Sequence, residues 1–90
     1  MIQNFRHKGL RQLYETGKTR LLDKAVIPKV EDILTVLDVT TSMAGLRLAG
    51  LHPLKGARKG EWGITITANW RIVFRLRDGH VVDVGYEDYH

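Results

Sequence analysis

The sequence predicts an α+β domain, with two N-terminal helices packed on one face of a twisted antiparallel sheet. Three observations carry that expectation. Apolar residues in the first half recur at helical spacing, those after Glu61 alternate with a period of two, and Asp78-Gly79 is a strong hairpin signal between two alternating runs. Ninety residues leave room for one domain, spanning 1–90.

Taken in order, Ile2 to Arg6 reads as a short strand before Gly9. Between Lys8 and Glu15, the residues Leu10, Leu13 and Tyr14 fall at i, i+3 and i+4, a helical stripe that Gly17 ends. Lys18 to Leu22 form a basic connector, and Asp23 is placed to cap a second helix. Val26, Val30, Ile33, Leu34 and Leu37 line one face of that helix. Pro28 suits a first turn, so the helix is expected to begin nearer Ile27 than Asp23. Thr40, Thr41 and Ser42 end it or cap a short turn through Leu46, and Gly45 and Gly50 mark a loop that extends through His52. Trp62, Ile64 and Ile66 then alternate with small or polar residues up to a turn at Ala68-Asn69. Trp70, Ile72, Phe74 and Leu76 form a second strand, and Val82, Val84 and Tyr86 a third. The even-numbered face of this meander is apolar, so the helices are expected to cover it and to leave the other face freer for solvent or a ligand. Trp62 and Trp70 share the core parity and are expected to pack there.

Composition narrows the function. Without cysteine, a disulfide scaffold, a thiolate nucleophile and the Cys-based zinc modules are excluded. That composition suits a reducing cytoplasm. Arg6, His7 and Lys8 interrupt the place where a signal peptide needs its apolar stretch, and no run is long enough to span a membrane, so no membrane role is expected. Fourteen Lys and Arg against ten Asp and Glu give a net charge of +4, which favours polyanionic partners. On the face opposite the expected core, Arg71, Arg75 and Arg77 would form a positive stripe suited to phosphate. The same cations would also discourage edge pairing on a merely solvated strand.

Proton-transferring groups gather in Leu51-His52-Pro53-Leu54-Lys55-Gly56 and in Tyr86-Glu87-Asp88-Tyr89-His90. Metal binding fits poorly, because no two-histidine helical spacing is present. A serine triad fits no better, since Ser42 is the only serine and no nucleophile elbow surrounds it. Neither a metal nor an organic cofactor is called for. Attack on phosphate by RNA's own 2′-hydroxyl suits the inventory, because it needs only a base, an acid and cations around the phosphorane.

The blocks from Leu51 to Gly56, Trp62 with Ile64-Thr65, Ala68 to Ile72, and Tyr86 to His90 closely resemble the HigB toxins of the RelE-like superfamily. The opening Ile2 to Gly17 is similar too. The resemblance implies a ribosome-dependent mRNA endonuclease acting at the 30S A site and neutralised by a HigA-type helix-turn-helix antitoxin. Contact with DNA would come only indirectly, through that antitoxin. Carried over position by position, it implies catalytic roles for His52, Lys55, Arg71, Asp88, Tyr89 and His90, and Tyr89 enters only in this way. Arg58 and Lys59, close to Lys55, join Arg75 and Arg77 as expected RNA contacts. Two features depart from the family: Ala57 stands where an aspartate is common, and the loop before His52 is short. The rival readings are a non-catalytic RNA- or ribosome-binding module using the arginine face alone, and a DNA-binding regulator, for which no convincing helix-turn-helix is present.

Overall fold

A computed structural model of the chain describes residues 1–89. Two helices precede a four-stranded antiparallel sheet: α1 (Lys8–Thr16), α2 (Ile27–Asp38), β1 (Leu51–Pro53), β2 (Glu61–Thr65), β3 (Trp70–Arg77) and β4 (His80–Asp88), with strand order β1-β2-β3-β4. Among the described residues, no helix is long and apolar enough to cross a membrane.

The helix limits follow from local chemistry. His7 caps α1, its Nδ1 accepting from the Leu10 amide at 3.2 Å, and Gly17 closes the helix at φ 77°, where only glycine is unstrained. Asp23 caps a short 3-10 turn over Lys24–Val26, and Pro28 lies in the first turn of α2, so each residue has the terminus its chemistry favours. Leu10, Leu13, Val30, Ile33, Leu34 and Leu37 meet Ile64, Ile66, Ile72, Phe74, Val81 and Val84 in one core. Asp38 ties the helices to the chain's start, accepting from the Tyr14 hydroxyl at 2.5 Å and the Ile2 amide at 3.3 Å. The Tyr14 hydrogen bond holds the Asp38 carboxyl below its ordinary range.

The sheet departs from expectation in four places. First, His52 lies in a strand, not a loop: Leu51, His52 and Pro53 pair with Ile64, Gly63 and Trp62. Second, Ile2 to Arg6 makes two isolated parallel bridges to β4, at Ile2↔Val81 and Phe5↔Val84, and covers that edge. Third, the alternation in β4 is broken by a bulge. Asp83 takes φ 54°, Val82 pairs with Arg75 and Gly85 with Val73, so Val81 replaces Val82 in the helix-side core. The Asn4 side chain holds the bulge, accepting from the Asp83 amide at 3.0 Å and donating to its carboxylate at 2.8 Å. Fourth, the face away from the helices is not open. Leu54, Val73 and Val82 are buried there as a small second layer. Asp78-Gly79 turns as expected, with both residues at positive φ.

Candidate active site

Cross-strand partners in an antiparallel sheet share a face. His52, Gly63, Val73 and Gly85 therefore form one row on the side away from the helices, and Thr65, Arg71 and Glu87 form the next. Tyr89 continues the parity of Glu87. Its amide donates to the Asn69 carbonyl at 2.9 Å, and its hydroxyl shares a hydrogen bond of 2.5 Å with the Thr65 hydroxyl, so the ring lies across the start of β3. The Arg71 guanidinium sits 4.9 Å from the centre of that ring, and the His52 imidazole lies nearly parallel to it at 6.5 Å and 15°.

His52 is oriented by its own turn. Its Nδ1 is 2.9 Å from the Gly50 carbonyl, which can only accept. The proton is therefore on Nδ1, and Nε2 is the basic nitrogen of the neutral ring. Gly50 has φ 80°, and a Cβ there would stand 3.0 Å from the Thr65 Cβ, so this carbonyl position requires glycine. Gly63 is needed for a different reason: a Cβ on it would lie 3.0 Å from His52 Nε2 and 3.2 Å from Leu54 Cδ2.

Beside this group lies an ion-pair network that sequence reasoning missed. Glu87 accepts from Arg71 Nε at 3.0 Å and Nη2 at 2.8 Å, and also from Arg58. Arg58 bonds Glu61 through Nε at 3.0 Å and Nη2 at 3.1 Å. Glu61, whose side chain is only 5% exposed, also meets Arg6 at 3.4 Å and Arg75 at 3.6 Å. The Arg58 hydrogen bonds are the main reason that both the Glu61 and Glu87 carboxyls sit below their ordinary range, and these bonds push the Arg58 guanidinium upward in return. Two members of the expected positive stripe, Arg71 and Arg75, are therefore paired with carboxylates, Glu87 and Glu61, while Arg77 meets neither. Parity along β4 is the signal that could have found Glu87, because it separates Glu87 and Tyr89 from Asp88.

The structure brings His52, Arg71 and Tyr89 together. Lys55 is exposed at the start of the 3-10 turn Gly56–Arg58, on the connection between β1 and β2. Lys59 is exposed just beyond that turn, which also carries Ala57. Asp88 pairs opposite Trp70 and so belongs to the other parity; the carboxylate beside Arg71 is Glu87. Arg75 points toward Glu61, and Arg77 pairs with His80 at the hairpin end, roughly 20 Å along the strand from Arg71 at about 3.4 Å per residue. His90 lies outside the described residues. Trp70 has core parity but is 39% exposed at the sheet's end, stacked on Tyr86 at 4.9 Å and 6°. Among the described residues, no group of three His, Asp or Glu side chains is placed to hold a metal ion.

The network makes a prediction about stability. Replacing Glu61 leaves three guanidinium groups facing one another, and breaking a buried pair costs about 3–5 kcal/mol. The arginines keep a third to a half of their side chains in water, so screening brings the expected cost of Glu61→Gln to about 2–3 kcal/mol at neutral pH. Because the Glu61 and Glu87 carboxyls are depressed in the folded state, their contribution is complete above the unfolded carboxylate range near about pH 4.3 and is lost as pH falls through the folded values. Thermal unfolding from pH 7 to pH 3 should therefore show a larger loss of Tm in the parent protein than in Glu61→Gln. Equal losses would mean that the Glu61 charge contributes nothing.

The chain matches, over residues 3–90, the family model described as the RelE-like toxin of the type II toxin–antitoxin system HigB. It is 42% identical over 92 residues to "Endoribonuclease HigB" of Proteus vulgaris, with both proteins covered in full. Among solved structures, it resembles the YoeB–YefM complex from Staphylococcus aureus at TM-score 0.64 and 19% identity, covering 100% of this chain and 95% of the other. A YoeB/ParE toxin from Agrobacterium tumefaciens aligns at TM-score 0.61 and 20% identity, over 90% of this chain and 86% of the other. At these identities the structural likenesses establish the fold alone.

Proposed function

This chain belongs to the HigB toxins, RelE-like proteins of type II toxin–antitoxin systems, and on that premise we propose that it is an endoribonuclease that cuts mRNA on the ribosome by metal-independent attack of the 2′-hydroxyl. The observation that carries the reading is the meeting of His52, Arg71 and Tyr89 at one end of the sheet, with the basic nitrogen of His52 defined by the Gly50 carbonyl.

In this reading, His52 Nε2 takes the proton of the 2′-hydroxyl, whose oxygen bonds to phosphorus as the bond from phosphorus to the 5′-oxygen breaks. The departing oxygen takes its proton from protonated His52 or from His90. Arg71 and Lys55 stabilise the charge that grows on the phosphorane, and Tyr89 orients an unstacked base. Asp88, exposed opposite Trp70 at the end of β4, is the second candidate to accept the 2′-hydroxyl proton. Lys59 is the exposed cation proposed to meet RNA backbone near Lys55. The expected partners are ribosome-bound message in the 30S A site and a HigA-type antitoxin, in a protein of the cytoplasm. Membership of a type II family supports the antitoxin, and the net charge of +4 supports attraction to RNA.

The test is the chemistry of the cut ends. Cleavage of ribosome-bound message should leave a 2′,3′-cyclic phosphate and a 5′-hydroxyl, and it should continue in EDTA while the ribosomes are held intact. A 3′-hydroxyl with a 5′-phosphate, or activity lost to chelation alone, would refute the mechanism. A non-catalytic RNA-binding module would give salt-sensitive binding and no new ends.

A further inference from the structure

We propose that Glu87 and Arg58 are positioning residues for this reaction: Glu87, gripped by Arg58, fixes the Arg71 guanidinium in the plane in which it meets the scissile phosphate. The proposal rests on the reading of Arg71 as the phosphate-stabilising cation.

Three observations carry it. Arg58 ends the 3-10 turn between β1 and β2 and reaches Glu61 and Glu87, on either side of the row that contains Val73. Its Nε, Nη1 and Nη2 together make four hydrogen bonds to those two carboxylates, from the five N–H groups a guanidinium owns. A cation so committed has little left for a phosphate, so its place in the sequence near Lys55 does not make it an RNA contact. The second observation is the edge of Arg71 that Glu87 holds. Oε1 accepts from both Nε and Nη2, and among the described residues nothing hydrogen-bonds Nη1, the side of the fork proposed to meet the phosphate. The third is the Tyr89 ring, which lies 4.9 Å from the Arg71 guanidinium carbon and is itself held by Thr65. Arg71 is thus held by a carboxylate at one edge and lies over an aromatic ring, with its side chain only 17% exposed.

Glu87 has an electrostatic drawback that makes the idea testable. A carboxylate beside Arg71 weakens its attraction for a ground-state phosphate, so a site built for affinity alone would omit it. A site built to stabilise a transition state gains more from a donor that needs no reorganisation as charge develops. Positioning therefore predicts a split between turnover and binding that a purely structural ion pair would not produce.

Glu87→Gln and Arg58→Gln should lower kcat on ribosome-bound message about 10- to 100-fold, with KM unchanged or lower. Glu87→Asp keeps the charge but shortens the reach, so it tests position if the glutamine variants fold poorly; it should also lower kcat. The Arg71 Nε–H resonance should be protected from exchange in the parent protein and lose that protection in all three variants. The proposal is overturned by unchanged kcat in Glu87→Gln and Glu87→Asp, by a raised KM with intact kcat in Arg58→Gln, or by an Arg71 signal that stays protected. Full activity of Arg71→Ala would refute the underlying reading instead, and the resonance measurement would still decide whether the clamp exists.

Discussion

Replacing His52 with alanine is expected to slow cleavage of ribosome-bound message about 10²–10⁴-fold, the usual range for losing a positioned general base. The ring is well placed for the task and contributes little to the fold. It is half-buried on the edge strand, outside the helix-side core, and among the described residues its one hydrogen bond is to the Gly50 carbonyl two residues away. The unfolding midpoint of His52→Ala should therefore stay close to that of the parent protein, and antitoxin capture should persist, so lost activity would report chemistry. His52→Gln sharpens the test. It keeps a polar group of similar reach but carries no proton-accepting nitrogen, so it should be nearly as slow as alanine. Folded His52→Ala with parental activity would remove the imidazole from the mechanism. Toxicity on expression, read in parallel, should disappear with either substitution.

The fold was legible in the sequence wherever local chemistry decides it. Gly17 ends α1, Pro28 opens α2 and Asp78-Gly79 forms the hairpin, because in each case the residue's own backbone preference selects the structure. β1 was hidden because it is three residues long and ends in proline; its pairing is supplied by β2, not by its own propensity. The bulge at Asp83 was hidden because Val81, Val82 and Val84 offer the core to either parity, and the choice is made by Asn4, far away in sequence. At the site, sequence reasoning reached the residue types of His52 and Arg71, and the resemblance added Tyr89. It overestimated the open positive face because the neutralising carboxylates come from two other strands. Glu61 is contributed by β2 and Glu87 by β4, and only the register places both beside β3. Arg58 shows the same limit: nearness to Lys55 in sequence suggested RNA, whereas its guanidinium turns back to the sheet.

Arg71→Ala is expected to lower the cleavage rate about 10²–10³-fold, the magnitude found when one preorganised donor to a developing oxyanion is removed. Two effects are mixed in that number. The variant loses the cation, and among the described residues it leaves the Glu87 carboxylate with Arg58 alone, so negative charge would face the incoming phosphate. The double variant Arg71→Ala/Glu87→Ala separates them. If repulsion contributes, the pair should be faster than Arg71→Ala alone, a non-additivity that contact between the two side chains makes natural. Arg71→Lys supplies a third point. It restores a positive charge but not the planar fork that bonds Glu87 at its edge over the Tyr89 ring, so it should recover only part of the lost rate. Complete recovery by lysine would mean that charge alone is needed at this position and that the geometry around Arg71 is incidental to the reaction. Single-turnover rates for these variants at saturating ribosome-bound message decide between a point charge and an oriented donor.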